Sequence, residues 1–472
     1  MHGVLEHEEA GFILDKLQDQ GFEAYLVGGC VRDYLLKRPI QDVDIATSAL
    51  PEQVMALFTR TAPTGLQHGT VTVILEQGAY EVTTFRTESQ YEDYRRPKEV
   101  AFVSSLKEDL RRRDFTMNAM ALDRSGTLID PFGGQKDLQT GLLRCVGEAE
   151  QRFGEDALRM LRCIRFASTY ALQVEAKTWQ ALLRQAPLLR HVAMERVRSE
   201  LQRMVAGAAP ARAVQLLLAS RLWRHFKKQL PLPFESWLAR PEALDAVSAL
   251  QEQNARWALL LLLLETPADM VRSALQELTF SRADTDAVTG ILALHEQLAR
   301  QLLTLGAAGS APYEDPLQLA RIWKLAAVRH GVPTARAWLQ VLRALQPALA
   351  RDAAASSAEP VLASLEASQP ALARDAAASS AEPVLASLEA SLRTFVPPLV
   401  QSGEKWLEEL SCTQLKQLSI TGSDLVLALD RPAGPWIGLV LQELLECTAL
   451  NELHNDRESL LLAARQWGAS HP

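Results

Sequence analysis

The densest chemistry in this 472-residue sequence lies at 26–46, LVGGCVRDYLLKRPIQDVDIA. Asp42-Val43-Asp44-Ile45 alternates acidic and apolar residues. On a strand, positions i and i+2 share a face, so both carboxylates point one way while Val43 and Ile45 enter a core. Two like charges held together are costly unless a cation lies between them, and hard oxygen ligands favour Mg²⁺. Upstream, Gly28-Gly29 would let backbone N–H groups approach an anion, and Arg32 adds a full positive charge. A second constellation is Asp156 and Arg159 within FGEDALRMLRCIRFASTY, residues 153–170. A carboxylate beside a guanidinium offers acceptors and donors together, enough to imitate a base-pairing partner for cytosine or adenine. The same spacing also describes an ordinary i, i+3 ion pair on a helix surface. A third is LRRRDFTMNAMAL, residues 110–122, whose three consecutive arginines cannot all be buried without partners.

These groups need particular elements to hold them. Ala24–Val27 is a short apolar run of strand character, and Cys30–Leu36 has helical spacing. The glycine pair therefore stands between a strand and a helix N-terminus. Read as one helix at ~100° per residue, 153–170 places Ala157, Met160, Leu161 and Ile164 on one side. Asp156, Arg159 and Arg162 step round the other, with Arg165 roughly opposite Asp156, better placed for phosphate, RNA or a structural partner. His7–Gln20 reads as an amphipathic helix, and Pro51–Phe58 as a short one capped by Ser48. Thr70–Leu75 and Tyr80–Phe85 alternate as a hairpin pair, with Glu81 opening the second strand. Arg86–Val103 is charged, follows neither period, and reads as a mobile loop. Asp130–Gly134 marks a turn. Beyond Ala206, helices follow one another: 211–226, 241–264, 268–277, 282–305, 316–330 and 333–350.

Length implies several domains. The net charge of −8 gives no global sign of nucleic-acid binding, so an RNA surface must be local. One local excess exists: nine Arg and Lys between 159 and 203 face only Glu175, Glu195 and Glu200. Cys30, Cys145, Cys163, Cys412 and Cys447 are scattered, with no zinc-type pair and no disulfide framework, which fits a cytoplasmic protein. The longest apolar run, Trp257–Leu264, is far shorter than the ~20 residues of a membrane span. The 23-residue segment at 346–368 is repeated without change at 369–391, a recent duplication read as dispensable.

The opening stretch resembles the signature of the class II nucleotidyltransferases, the bacterial CCA-adding enzymes and poly(A) polymerases, relatives of the DNA polymerase β superfamily. RRDFTMNAMA at 112–121 resembles the family's RRDFTxNAxA, Glu155–Arg159 its EDxxR, and Glu195-Arg196…Glu200 its neck motif. The segment from Ile420 through Gly434-Pro435-Trp436 to Asn455-Asp456 is similar to the family's tRNA-contacting tail, with Trp436 as fit for core packing as for RNA.

The resemblance implies an α+β fold: a polymerase-β-like head with a mixed sheet, then an all-α neck, body and tail. The expected divisions are 1–143, 144–205, 206–315 and 316–472. It implies addition of C, C and A to a tRNA 3′ end from CTP and ATP, with no DNA or membrane partner and a homodimer left open. Asp42 and Asp44 would be catalytic and hold Mg²⁺, with Glu81 a candidate further ligand from the neighbouring strand or a plain hairpin surface charge. Gly28, Gly29, Arg32, Arg113, Asp156, Arg159, Arg162 and Arg165 would bind nucleotide, with Asp156 and Arg159 as the base template. The 86–103 segment would help the switch from C to A, although Ser89 stands where the family usually has glycine. An A-adding enzyme, a poly(A) polymerase and a catalytically inactive tRNA-binding module are the rival readings.

Overall fold

A computed structural model describes residues 8–92, 96–234, 236, 241–307, 315–352 and 396–470. They form two compact units, Met1–Gln229 and Leu230–Pro472. The first unit opens with α1 (Glu8–Gln18), β1 (Ala24–Val27), α2 (Gly29–Leu35), β2 (Asp44–Thr47), α3 (Pro51–Leu57), β3 (Thr61–Gly65), β4 (Thr70–Ile74) and β5 (Ala79–Thr84). β6 (Arg86–Glu92), β7 (Arg96–Phe102), α4 (Leu106–Arg111), β8 (Ala121–Leu122), β9 (Leu128–Ile129) and α5 (Gly134–Gln139) follow. Strands pair in the order β3-β4-β5-β2-β1-β8-β9. β2 and β5 run parallel and the other neighbours antiparallel, which is the mixed sheet expected. Val27, Ala46, Phe85, Leu110 and Ala121 form a shared core beneath it.

Register decides the site. Asp44 stands opposite Val27 on one side and Glu81 on the other. Val27 is the last residue before the Gly28-Gly29 turn, so the first residue of β2 lies beside that turn. The expectation of Asp42 and Asp44 on one strand needs correction, because β2 begins at Asp44 and Asp42 is exposed before it. The reason is backbone pairing: past Val27 the partner chain turns away, and Gly28 N–H donates to Met120 instead. The in-out pattern nevertheless persists, with Val43 buried between the two aspartates.

Three more expectations change. Phe153–Tyr170 is not one helix but α6 (Ala149–Glu155) and α7 (Leu158–Thr169), with Asp156 extended between them at φ −139°, ψ 104°. The Asp156 carboxylate accepts the Leu158 N–H at 3.1 Å, the local bond by which Asp favours helix ends over interiors. Within Arg86–Val103, β6 and β7 pair antiparallel, in register from Arg86 opposite Phe102 to Glu92 opposite Arg96. Backbone pairing needs no apolar alternation, which arises only where one face rests on a core. Finally, Leu50 rather than Ser48 precedes α3; its N–H is held by Gln53, and Ser48 accepts from Glu23 N–H.

Helices α8 (Ala176–Gln185), α9 (Met194–Ala206) and α10 (Pro210–Ser220) complete the first unit. The second unit is helical among its described residues, including Arg282–Ala307, Pro316–His330 and Val332–Asp352. The expected 241–264 helix is split into Pro241–Asp245, a 3-10 turn and Gln253–Leu262. Near the C-terminus, helices Gly422–Leu429, Trp436–Ala449 and Arg457–Ser470 pack around Leu425, Trp436, Val440 and Leu460. Trp436 is buried there, with its indole N–H on Pro432 O at 2.8 Å, so it is core. The duplication lies, beyond Asp352, outside the described residues. No described helix is long and apolar enough to cross a membrane.

Candidate nucleotide site

The Gly28-Gly29 turn, the start of β2, the segment after α4 and the α6–α7 break meet around a cavity of about 460 Å³. Its lining holds six arginines (32, 112, 113, 159, 162 and 196), three aspartates (44, 114 and 156), Gly28, Gly29, Asn118, Leu158 and Phe166. The arginine excess gives it a positive lining of the kind that attracts a polyanion. Gly28 has φ +75°, and a Cβ built there would lie 2.9 Å from Arg113 Nη1 and 3.7 Å from Asp44 Oδ2. A side chain would fill the gap between those two charges, so the position suits glycine alone.

Asp44 is half-buried, and its carboxyl is raised above the usual range, chiefly by burial. Arg113 opposes the rise, and Glu81 and Asp42 add to it. Asp42 does not line the cavity, yet its charge reaches Asp44. Among the described residues no three acidic, His or Cys side chains form a ready-made metal cage. The donor set is therefore a few carboxylates that repel one another, to be completed by oxygens from outside the chain. That fits a hard divalent cation sharing its shell with phosphate and water.

The arginines are held by carboxylates and an amide around the cavity. Arg32 gives Asp33 two bonds, from Nε at 3.0 Å and Nη2 at 2.8 Å, and Nη1 reaches Asn118 Oδ1 at 2.7 Å. Asn118 in turn donates to Asp114 at 3.0 Å. Buried Asp109 takes Arg112 at 2.8 Å and Arg113 at 3.4 Å, while Arg113 Nε is buried with no hydrogen-bond partner. That orphaned donor belongs to a cavity-lining side chain and suits an incoming oxygen. Asp114 is buried, which would raise its carboxyl, but Arg162 at 2.6 Å and Asn118 outweigh this and hold it well below the usual range.

Asp156 and Arg159 both face the cavity, although not as neighbours on a continuous helix. Arg196 grips Asp156 with two bonds at 3.2 and 2.8 Å. Arg159 donates to Glu155 at 2.6 Å and to the carbonyls of Arg152 and Arg112 at 3.0 and 2.8 Å. Arg162 lines the cavity through its pair with Asp114. Arg165 does not; it pairs with buried Glu200 at 2.6 Å, so its place among the nucleotide-facing residues is corrected to a structural partner. The sequence reading placed Arg196 only in the neck motif and did not assign it to the site. It lies 40 residues beyond Asp156, a separation no periodicity connects.

Comparison with known proteins matches this geometry. Three family models cover parts of the chain: "Poly A polymerase head domain" at 24–144, "Probable RNA and SrmB-binding site of polymerase A" at 171–232, and "tRNA nucleotidyltransferase domain 2 putative" at 389–464. A CCA-adding enzyme of Geobacillus stearothermophilus is 50% identical over 262 residues, which cover 54% of this chain and 62% of that protein. One of Lactobacillus delbrueckii subsp. bulgaricus is 43% identical over 292 residues, 61% of this chain and 72% of that protein. The matched region thus spans about 62% of the length of the Geobacillus relative. The crystal structure of the Bacillus stearothermophilus CCA-adding enzyme in complex with CTP superposes with a TM-score of 0.74 and 32% identity, over 98% of each chain. With 43% identity over 72% of the Lactobacillus relative and a superposition that covers 98% of a solved CCA-adding enzyme, the chain belongs to the family of CCA-adding enzymes and poly(A) polymerases.

Proposed function

We propose that this protein adds C, C and A to the 3′ end of tRNA, using CTP and ATP and releasing pyrophosphate. One observation carries the reading: the glycine turn, Asp44 and the Asp156/Arg159 pair border a single cavity. Gly28, Gly29, Arg32 and Arg113 take the triphosphate, with guanidinium forks matched to phosphate oxygens. Asp42 and Asp44, with Glu81 beside Asp44 on β5, are the residues that would hold Mg²⁺. Such an ion would supply Lewis acidity toward the tRNA 3′-hydroxyl and charge neutralisation toward pyrophosphate.

Selection falls to Asp156 and Arg159. A carboxylate has about four acceptor sites. Three bonds from Leu158 and Arg196 already fall on Asp156, leaving capacity for one more donor, the exocyclic amino group of cytosine or adenine. Uracil presents an oxygen there and is repelled. Arg159 donates to cytosine N3 and O2 or to adenine N1. Arg196, Glu155 and the Arg112 and Arg152 carbonyls hold both template groups in place, so little ordering remains when a nucleotide arrives. The β6–β7 hairpin serves the change from C to A. The division into head, neck, body and tail at 143, 205 and 315, with the tail on tRNA, and a cytoplasmic location complete the proposal.

The test uses tRNA transcripts ending before CCA, after C and after CC, each given one nucleotide at a time. The expected result is C, C, then A, and nothing from UTP or GTP. Addition of A alone would identify an A-adding enzyme, and a long run of A a poly(A) polymerase. Binding of tRNA without pyrophosphate release would overturn the enzymatic reading.

A further inference from the structure

One aromatic residue outside the cavity lining is bound to the site from three directions. Tyr170 follows the last residue of α7, and its hydroxyl donates to Asp33 Oδ1 at 3.1 Å, across 137 residues of sequence. The Arg32 guanidinium lies over its ring at 4.4 Å from the centroid, and that of Arg38 at 4.7 Å. Arg38 also donates from both terminal nitrogens to Thr169 O at 3.3 Å, a carbonyl at the C-terminal end of α7 where positive charge is favourable. Asp33 is the same carboxylate that holds Arg32 through two bonds. Arg32 stands against the glycine turn: a Cβ built at Gly29 would lie 3.5 Å from its Nη2. Tyr170 is absent from the cavity lining.

The geometry points to Tyr170 as a positioning residue that holds Arg32 at the triphosphate end of the site and joins the base-reading helix α7 to the glycine turn. This rests on the nucleotidyltransferase reading above. An arginine has many rotamers, and freezing one of them is what an aromatic face with a carboxylate beside it accomplishes. The ring supplies the cation–π face, and the hydroxyl orients Asp33, which orients Arg32. The effect falls on the part of the nucleotide common to CTP and ATP, and leaves the choice between bases untouched.

The experiment compares the wild-type chain with Tyr170→Leu and Tyr170→Phe. Leucine keeps apolar bulk and removes both ring and hydroxyl; phenylalanine removes the hydroxyl alone. Equilibrium binding of CTP and of ATP, and competitive inhibition by inorganic tripolyphosphate, are measured beside steady-state incorporation. Tyr170→Leu is expected to weaken CTP, ATP and tripolyphosphate by a common factor of about ten, with kcat at saturation within about twofold. Tyr170→Phe should recover most of the loss. Unchanged nucleotide binding in Tyr170→Leu, even with a lower melting temperature, would overturn the inference. So would a loss confined to one nucleotide or absent for tripolyphosphate. A wild-type chain that binds neither CTP nor ATP would instead overturn the nucleotidyltransferase reading, and this inference with it.

Discussion

Both units of the molecule carry many arginine–carboxylate pairs, and the pairs do different work. In the second unit some lie on open helix surface: Arg336 with Glu404 has side chains 51% and 35% exposed. Around the cavity of the first unit, Arg159 with Glu155 has side chains 11% and 13% exposed. An exposed pair stands in water that already solvates both charges, so its contribution is at most about 1 kcal/mol. A cavity pair has surrendered that solvation and depends on its partner, which makes it costly to break and responsive to a new charge. Burial, more than the residue types involved, separates a site from a surface.

The largest effect expected is catalytic. Asp44→Asn should reduce nucleotide incorporation by at least about a thousandfold, because the retained shape cannot hold a divalent cation. Binding of tRNA, followed by gel retardation, should stay near wild type; substantial incorporation would remove Asp44 from the chemistry and with it the distinction drawn for this cavity.

Breaking a buried pair comes next. Arg162→Met leaves the buried Asp114 carboxylate without its main partner and should lower unfolding stability by about 3 kcal/mol in denaturant titration. The Asp114 carboxyl titrates below its unfolded value of about 3.9. Its charge therefore adds stability that is complete above about pH 4 and is lost as the pH falls through the folded value. Asp114→Asn should flatten that acid limb. An unaltered acid limb would show that the pair contributes nothing.

Smaller still, Arg159→Ala should relax selection. The preference for CTP over UTP in single-nucleotide extension should fall by about 10–100-fold, the range of one or two directed hydrogen bonds. Retained selectivity would count against a protein template. At the bottom of the scale, Arg336→Ala should change stability by no more than about 0.5 kcal/mol, read as a melting-temperature shift near the noise. A loss as large as that of Arg162→Met would erase the contrast between the two units.

Much of the candidate site was legible in the order of residues, because it is assembled from local units. The glycine turn needs only strand, GG and helix in succession, and β1, α2 and the β4–β5 hairpin lie where the periodicities put them. The pairing of β6 with β7 was not legible, since its backbone bonds require no apolar alternation in a charged stretch. The break at Asp156 was also hidden: the apolar spacing from Ala157 onward continues a helix, and the extended Asp156 backbone, with its carboxylate on Leu158 N–H, interrupts it.

By itself the sequence determined which chemistries were on offer: paired acids for a cation, a glycine turn for phosphate, and an acid–guanidinium pair for a base. Tertiary structure alone decided which partners complete them. Arg196 reaches Asp156, Glu81 lies beside Asp44, and Arg165 turns to Glu200 and away from the cavity. Such pairings are set by strand register and helix packing between residues distant in the chain. Coulomb attraction selects among the charges the fold brings together, and no spacing along the chain records that choice.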